Sequence, residues 1–274
     1  MSRLSLLACQ ITVPPMTTAA ERDAHLTAIA AKIDAQLGEK PADLVVLPEL
    51  SSIDYARNTF ENLAELSEPL DGPSHQTWAA LARKHACHIT YNLARADGTA
   101  YYITAATVAP TGDLLGHYDK LHLCQYGAGM EKEFFTPGDH LFTFKINGFT
   151  CAPIICYDIR IPELSRTLTL DHGADLILHC GAYYRDESFA TWHPFATTRA
   201  LENQIFLLSL NRAGHNYGNS LLCRPWMDEN THPTTFAAHN EHFAHITIDK
   251  AEITQARETY SFLRDRRASY QNLS

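Results

Sequence analysis

The spacing of apolar residues changes several times along the chain, which predicts alternating helices and strands. Five apolar residues fall at helical intervals between Leu26 and Leu37, so we predict an amphipathic helix that stops at Gly38. The run "DLVVLPEL" is typical of a short buried strand that ends at Pro48. The other predicted helices are 73–85, 163–171, 193–202 and one from 249, and the other predicted strands are 3–13, 87–93, 101–108, 114–118, 150–156, 176–180, 205–210, one near 221 and 243–248.

This order of elements indicates a mixed α/β protein. Asn147-Gly148 separates two apolar runs and is typical of a hairpin turn, so some strands must be antiparallel. The sequence contains no internal repeat, low-complexity tract or linker rich in Pro and Gly. Its 274 residues suit one large α/β domain. We therefore expect a single domain over residues 1–274.

Composition narrows the possible functions. Hydrophobic residues make up 45% and charged residues 19%, enough apolar surface for a sizeable core, and the net charge of −9 argues against nucleic-acid binding. No apolar run approaches the roughly 18 residues of a membrane span. The seven cysteines are odd in number and widely spread, and no leader pattern precedes the first strand. We expect a soluble cytoplasmic protein that binds neither nucleic acid nor membrane.

Three chemically reactive side chains lie at or just past the ends of predicted strands. Glu49 follows "LVVLP", Lys120 follows "LLGHYD", and Cys156 closes "APIIC". Ligand crevices of α/β sheets lie beyond the carboxyl ends of strands, so these residues can meet there. A thiol needs a base to become a nucleophile, a buried carboxylate can take its proton, and an ammonium can stabilise an oxyanion. Together they form a complete set for acyl transfer.

The segments around these residues resemble the nitrilase superfamily, the carbon-nitrogen hydrolases, over nearly the whole chain. "VVLPEL", "YDKLHL" and "ICYDIRIPE" are similar to the family's Glu, Lys and Cys segments, which gives Glu49, Lys120 and Cys156 the catalytic roles. "EKEFFTPGD" is similar to the segment of the family's second glutamate, here Glu131, which orients substrate and Lys. Four such segments in the family's order make the resemblance specific.

The resemblance implies a four-layer α-β-β-α sandwich, in which two sheets lie between outer helix layers, and assembly into a homodimer or a larger homo-oligomer. It also implies a mechanism without a cofactor. Glu49 takes the proton of Cys156, the thiolate attacks an amide carbon, and Lys120 and the backbone N–H of Tyr157 hold the oxyanion. Ammonia leaves a thioester, which water then hydrolyses to the acid.

The residues after the nucleophile favour one branch of the family. Tyr157-Asp158 resembles amidases, so we expect a small-molecule amide substrate. An N-carbamoyl amino acid hydrolase and a nitrilase remain alternatives, and a non-catalytic binding or scaffold protein is a further one. Asp158 and Arg160 are expected to form an ion pair that braces the turn.

Aromatic residues are candidates for the wall of the substrate pocket. Tyr55, Tyr126, Tyr183 and Trp192 suit a small, partly apolar ligand, although packing inside the fold or at an interface explains each equally well. Fifteen histidines raise the possibility of a metal site. Their spacing lacks cysteine partners or an HExxH helix, so we expect no metal.

Overall fold

Two six-stranded mixed sheets form the centre of the computed structural model, which describes residues 2–267 and 269–271. The strands, in chain order, are β1 (Arg3–Gln10), β2 (Leu44–Val46), β3 (His88–Asp97), β4 (Ala100–Val108), β5 (Leu114–Asp119), β6 (Phe144–Ile146), β7 (Phe149–Ile155), β8 (Leu176–Cys180), β9 (Phe206–Leu210), β10 (Leu221–Cys223), β11 (Thr234–Thr235) and β12 (His242–Asp249). The first sheet has the order β12-β1-β2-β3-β4-β5, and the second has the order β11-β10-β9-β8-β7-β6.

Each sheet has a parallel centre and antiparallel edges. In the first, β1, β2 and β3 are parallel, while β12, β4 and β5 join antiparallel. In the second, β7, β8 and β9 are parallel, while β6, β10 and β11 join antiparallel. Strand β5 is antiparallel to β4 and therefore runs the same way as β2. The carboxyl ends of β2 and β5 thus lie at the same edge, where side chains can converge.

Helices cover the outer face of each sheet. Helix α1 begins with a capping box, in which Thr18 and Glu21 satisfy each other's backbone N–H groups. Helices α1 and α4 pack together beside the first sheet, and α5 and α6 pack together beside the second. The helices are α1 (Ala19–Glu39), α2 (Arg57–Phe60), α3 (Leu63–Leu66), α4 (Pro73–His85), α5 (Pro162–Leu170), α6 (Phe189–Asn203), α7 (Lys250–Thr259) and α8 (Phe262–Asp265), and 3₁₀ turns occupy Glu131–Glu133 and Cys156–Arg160.

The alternation of strand side chains produces the layers. Leu4 and Leu6 of β1 pack in one apolar cluster with Leu176 and Leu178 of β8, which joins the inner faces of the sheets. Leu7 of β1, on the opposite face, belongs to the cluster that contains the helix residues. This four-layer α-β-β-α arrangement confirms the expected fold class.

Some element ends differ from the sequence prediction. Strand β1 stops at Gln10 rather than at residue 13, and β7 stops at Ile155, so Cys156 lies just past the strand. Helix α6 begins at Phe189 and carries Pro194 inside it. The sequence prediction began this helix at residue 193, one turn too late. No helix in the described part of the chain has both the length and the apolar character needed to cross a membrane.

Candidate active site

Cys156 occupies a sharp turn directly after β7. Its φ of 47° lies in the left-handed region that residues with a Cβ rarely adopt. The residue is 9% exposed and lines a narrow cavity of about 40 Å³. A strained turn at the end of a buried strand therefore presents the thiol to this cavity.

The turn is held by the side chain of Asp158. Its carboxylate accepts the backbone N–H groups of Ile155 and His122, both at 3.0 Å, and the hydroxyl of Tyr118 at 2.7 Å. The expected ion pair with Arg160 is wrong. The carboxylate turns back over its own strand, whereas Arg160 donates to the Thr191 hydroxyl at 2.9 Å.

Lys120 and two glutamates form a buried charged cluster beside the thiol. The Lys120 Nζ lies 2.7 Å from Glu49 Oε1 and 2.6 Å from Glu131 Oε1, and all three side chains are 0% exposed. The other oxygen of Glu49 accepts the Ala182 N–H at 2.8 Å. Lys120 follows β5 directly, and Glu49 lies shortly after β2. The sheet edge predicted from sequence thus brings these groups together.

Glu131 is anchored by neighbours as well as by Lys120. Its Oε1 accepts the Tyr55 hydroxyl at 2.8 Å, and its Oε2 accepts the Cys124 N–H at 2.8 Å. Both oxygens therefore accept hydrogen bonds, an arrangement that suits an ionised carboxylate.

The cluster shifts the acidities of its members. Burial alone lowers the pKa of Lys120, but the charges of Glu131 and Glu49 outweigh burial and raise it well above the ordinary lysine value. Burial raises the pKa of Glu131, and the charge of Lys120 opposes that rise. Burial, followed by the charge of Glu49, raises the pKa of the Cys156 thiol well above its usual value. The resting thiol is therefore protonated and Lys120 is charged.

A buried arginine from the second sheet holds the Glu49 segment in place. Arg212 donates to the backbone carbonyls of Glu49 at 3.1 Å, Leu50 at 2.6 Å and Ile53 at 2.7 Å. Leu50 has a φ of 45°, so this segment is strained like the Cys156 turn. The guanidinium satisfies carbonyls that the irregular backbone leaves without strand or helix partners.

Four of the five predicted binding residues line the cavity. Tyr55, Tyr126, Tyr157 and Tyr183 contribute to its wall together with Cys156. Trp192 does not line it. It is fully buried, and its ring stacks on Tyr183 with centroids 4.6 Å apart. Trp192 therefore supports a wall residue from behind.

The structure adds cavity residues that the sequence reasoning missed. Cys124 and Arg160 line the cavity, as does Asp186, which lies in the segment between β8 and α6. The Nε2 of His179, on β8, lies 2.9 Å from the backbone carbonyl oxygen of Cys156. Because His179 lies near the carboxyl end of a parallel strand, the argument that selected Cys156 could have found it. In the described residues, no group of three or more His, Cys, Asp or Glu side chains could hold a metal ion.

Comparison with known proteins identifies the family. Residues 6–257 match the family described as carbon-nitrogen hydrolase. The chain belongs to the carbon-nitrogen hydrolase family. A nitrilase from Pyrococcus abyssi is 33% identical over 72% of this chain and 74% of its own length. The 2-oxoglutaramate amidase of Bacillus subtilis is 34% identical over 68% of this chain and 72% of its own length.

The solved structures agree with the fold of a carbon-nitrogen hydrolase. Saccharomyces cerevisiae Nit3, a member of branch 10 of the nitrilase superfamily, superimposes with a TM-score of 0.82 at 23% identity, covering 100% of this chain and 97% of its own. The resemblance to the nitrilase superfamily is therefore confirmed, and so is the expectation of a hydrolase that acts on carbon-nitrogen bonds.

Proposed function

We propose that this carbon-nitrogen hydrolase is an amidase that converts a small carboxamide to its acid and ammonia. The observation that carries this proposal is the position of the Lys120 ammonium. It lies between the buried carboxylates of Glu49 and Glu131, next to a cavity that a thiol lines. Such a set supplies a nucleophile, a base and an oxyanion partner.

In the first half of the reaction, Cys156 attacks the amide carbon while Glu49 takes the thiol proton. Because burial raises the pKa of Cys156, the thiol is protonated at rest and must give its proton to Glu49. The C=O π electrons move onto oxygen, where Lys120 and the Tyr157 N–H stabilise the charge. An ammonium has three N–H donors, and Glu49 and Glu131 use two of them, so one remains for the oxyanion.

In the second half, Glu49 returns its proton to the nitrogen, the C–N bond breaks, and ammonia leaves a thioester on Cys156. Glu49 then takes a proton from water as the water attacks the thioester, and the C–S bond breaks. The proton returns to sulfur and the acid departs. Glu131 maintains the position and charge of Lys120 throughout the cycle.

The cavity wall also suggests the kind of amide. Arg160 lies in the wall with no carboxylate partner in residues 2–267, and its Nε is buried without a hydrogen-bond partner there. The small cavity limits the size of the acyl group. Since one relative is a 2-oxoglutaramate amidase, whose named substrate carries a carboxylate, we propose a short carboxamide with a negative charge at its far end.

The decisive experiment measures ammonia released from a panel of amino-acid amides, ω-amides of 2-oxo acids and short aliphatic amides. Wild-type protein should gain the mass of an acyl group on Cys156 when quenched during turnover, and Cys156→Ala should release no ammonia while keeping its circular dichroism spectrum. Full activity in Cys156→Ala, or no acyl mass, contradicts the proposal. Absence of ammonia from every compound, with an unreactive Cys156, favours a binding or scaffold protein.

Nitriles and ureido acids in the same panel test the related activities. The similarity to a nitrilase makes the nitrile comparison necessary. Direct conversion of a nitrile faster than of the matching amide assigns a nitrilase. Release of carbon dioxide with ammonia from a ureido acid assigns an N-carbamoyl amino acid hydrolase.

The cellular location and the oligomeric state are also part of this proposal. All seven cysteines are free thiols, which fits a reducing compartment such as the cytoplasm. We also propose a homodimer or larger homo-oligomer, by analogy with the family. Light scattering after size exclusion tests the assembly, and a mass of one chain contradicts it.

A further inference from the structure

The backbone carbonyl of Cys156 accepts hydrogen bonds from two buried side chains. The His179 Nε2 lies 2.9 Å from this oxygen, and the Tyr183 hydroxyl lies 2.8 Å from it. His179 is 0% exposed and Tyr183 is 5% exposed. None of the mechanistic steps above uses either polar group. Two buried donors on one carbonyl oxygen indicate that the orientation of this carbonyl matters.

A chain of hydrogen bonds fixes which nitrogen of His179 carries the proton. A carbonyl oxygen can only accept, so the Nε2 facing Cys156 must be protonated. Burial lowers the pKa of His179 to about 4, so the ring is neutral near pH 7 and its Nδ1 is an acceptor. The Ser209 hydroxyl, 2.7 Å from Nδ1, therefore donates to it.

Trp192 completes this chain. Its indole N–H, which can only donate, lies 2.7 Å from the Ser209 hydroxyl oxygen. The direction is thus set from Trp192 through Ser209 and His179 to the Cys156 carbonyl. Hydrogen bonds aligned in this way polarise one another.

The same carbonyl belongs to the peptide group that carries the Tyr157 N–H. A peptide is planar and trans, so its C=O and its N–H point in opposite directions. Donors that hold the carbonyl on the buried side therefore turn the N–H away from them. Tyr157 lines the cavity, and its N–H lies in the first turn of a 3₁₀ helix, where backbone N–H groups have no acceptor within the helix. This N–H is free to meet a substrate oxygen.

We propose that His179 and Tyr183 are positioning residues, which clamp the Cys156 carbonyl so that the Tyr157 N–H faces the oxyanion, and that Trp192 and Ser209 fix the donor form of His179. This inference rests on the proposed amidase function. It gives the Tyr183 hydroxyl a role in addition to the contribution of Tyr183 to the cavity wall. It also gives Trp192 a role that does not require contact with substrate.

Tyr183→Phe tests the clamp, because it removes one hydroxyl and keeps the ring. Tyr91→Phe is the matched control, since Tyr91 is buried and its hydroxyl has no partner in residues 2–267 and 269–271. Outright loss of an oxyanion donor slows kcat by about 10²–10³-fold, so a tilted donor should slow it by about tenfold, with little change in KM. Ser209→Ala should show a smaller fall in kcat in the same direction.

A second measurement distinguishes positioning from damage to the nucleophile. The rate at which iodoacetamide alkylates Cys156 should be the same in Tyr183→Phe and wild type, because the thiol and Glu49 are unchanged. An equal loss of alkylation and of kcat overturns the proposal in favour of a displaced turn. A kcat for Tyr183→Phe equal to that of Tyr91→Phe also overturns it.

The orientation of the peptide can be followed without any substrate. Cys156-Tyr157 is the single Cys-Tyr step in the sequence. Labelling cysteine carbonyls with ¹³C and tyrosine amides with ¹⁵N therefore gives one peptide resonance. It should shift in Tyr183→Phe and Ser209→Ala but not in Tyr91→Phe, and an unshifted resonance overturns the clamp. If wild-type protein hydrolyses no amide, the proposed function fails alone, and this resonance still decides the clamp.

Discussion

The two sheets contribute different chemistry to one cavity. The first sheet supplies charges. Glu49 lies after β2, Lys120 directly follows β5, and Glu131 lies in the segment beyond β5; the three form buried ion pairs. The second supplies a neutral thiol, Cys156, whose backbone carbonyl accepts uncharged hydrogen bonds from His179 and Tyr183. Charges in a dry site are costly to leave unpaired, whereas neutral hydrogen bonds contribute modestly but fix direction. We therefore expect changes in the first sheet to cost more stability than changes in the second.

The largest effect is expected from Lys120→Met. It leaves two buried carboxylates without a cation, which should lower the free energy of unfolding by about 3–5 kcal/mol at pH 7 and reduce kcat/KM by at least about 10³-fold. Urea unfolding and ammonia release measure the two effects. The variant should regain stability as the pH falls. A buried carboxylate of the folded state then binds a proton at a pH at which the same group in the unfolded state is still ionised.

The control for this variant is Lys84→Met. Lys84 pairs with Asp34 on the surface, and its side chain is 60% exposed. An exposed pair contributes at most about 1 kcal/mol. If both substitutions have similar effects on stability, the contrast between buried and exposed charge is wrong here.

Glu131→Gln should reduce kcat/KM by about 10²-fold with a smaller loss of stability. The amide keeps the size of the side chain but removes a charge that raises the pKa of Lys120. Steady-state kinetics across pH measure the effect. Glu133→Gln is the matched control, because Glu133 belongs to the same 3₁₀ turn and forms an exposed ion pair with Arg57. Equal rates for the two variants exclude a role for the Glu131 charge.

Asp119, which precedes Lys120, should stabilise the end of β5 in a pH-dependent way. Burial would raise its pKa, but the His117 ring 3.6 Å away and the hydrogen bonds from Arg95 and Thr104 lower it to about 2. A lowered pKa adds stability above the unfolded pKa near 4, and this contribution disappears as the pH falls towards 2. Asp119→Asn should therefore cost roughly 2 kcal/mol at pH 7 and progressively less between pH 4 and pH 2. A difference that stays constant over this range contradicts the assignment.

The smallest effect is expected in the second sheet. Tyr183→Phe removes one neutral hydrogen bond and should lower the free energy of unfolding by about 1 kcal/mol. Thermal unfolding beside Tyr91→Phe measures it. A loss as large as that of Lys120→Met contradicts the proposed difference between the sheets.

The sequence was informative where chemistry follows local pattern. Glu49, Lys120 and Cys156 could be selected because each comes after an apolar run, and Glu131 because its segment resembles that of the family. The periodicity of β1 and α1 likewise reflects which face is buried. These features depend on neighbours along the chain or on one strand end.

What the sequence did not provide depends on contacts between distant segments. The partner of Asp158 is decided by the backbone of β7 and by His122, which no spacing rule connects to it. Trp192 was expected in the cavity wall, but it stacks on Tyr183 and lies behind that residue, away from the cavity. The left-handed φ of Cys156 is maintained by the surrounding structure rather than by its residue type.

Glu49 is also a mechanical link between the two halves of the sandwich. Its segment follows β2, yet its carboxylate accepts the Ala182 N–H beyond β8, and Arg212 beyond β9 holds its backbone. Sliding of one sheet over the other would separate the Glu49 carboxylate from the Ala182 N–H or the Glu49 carbonyl from Arg212. We therefore expect enzymatic activity to depend on the relative alignment of the two sheets. Under increasing urea, ammonia release should vanish before the far-ultraviolet circular dichroism signal changes.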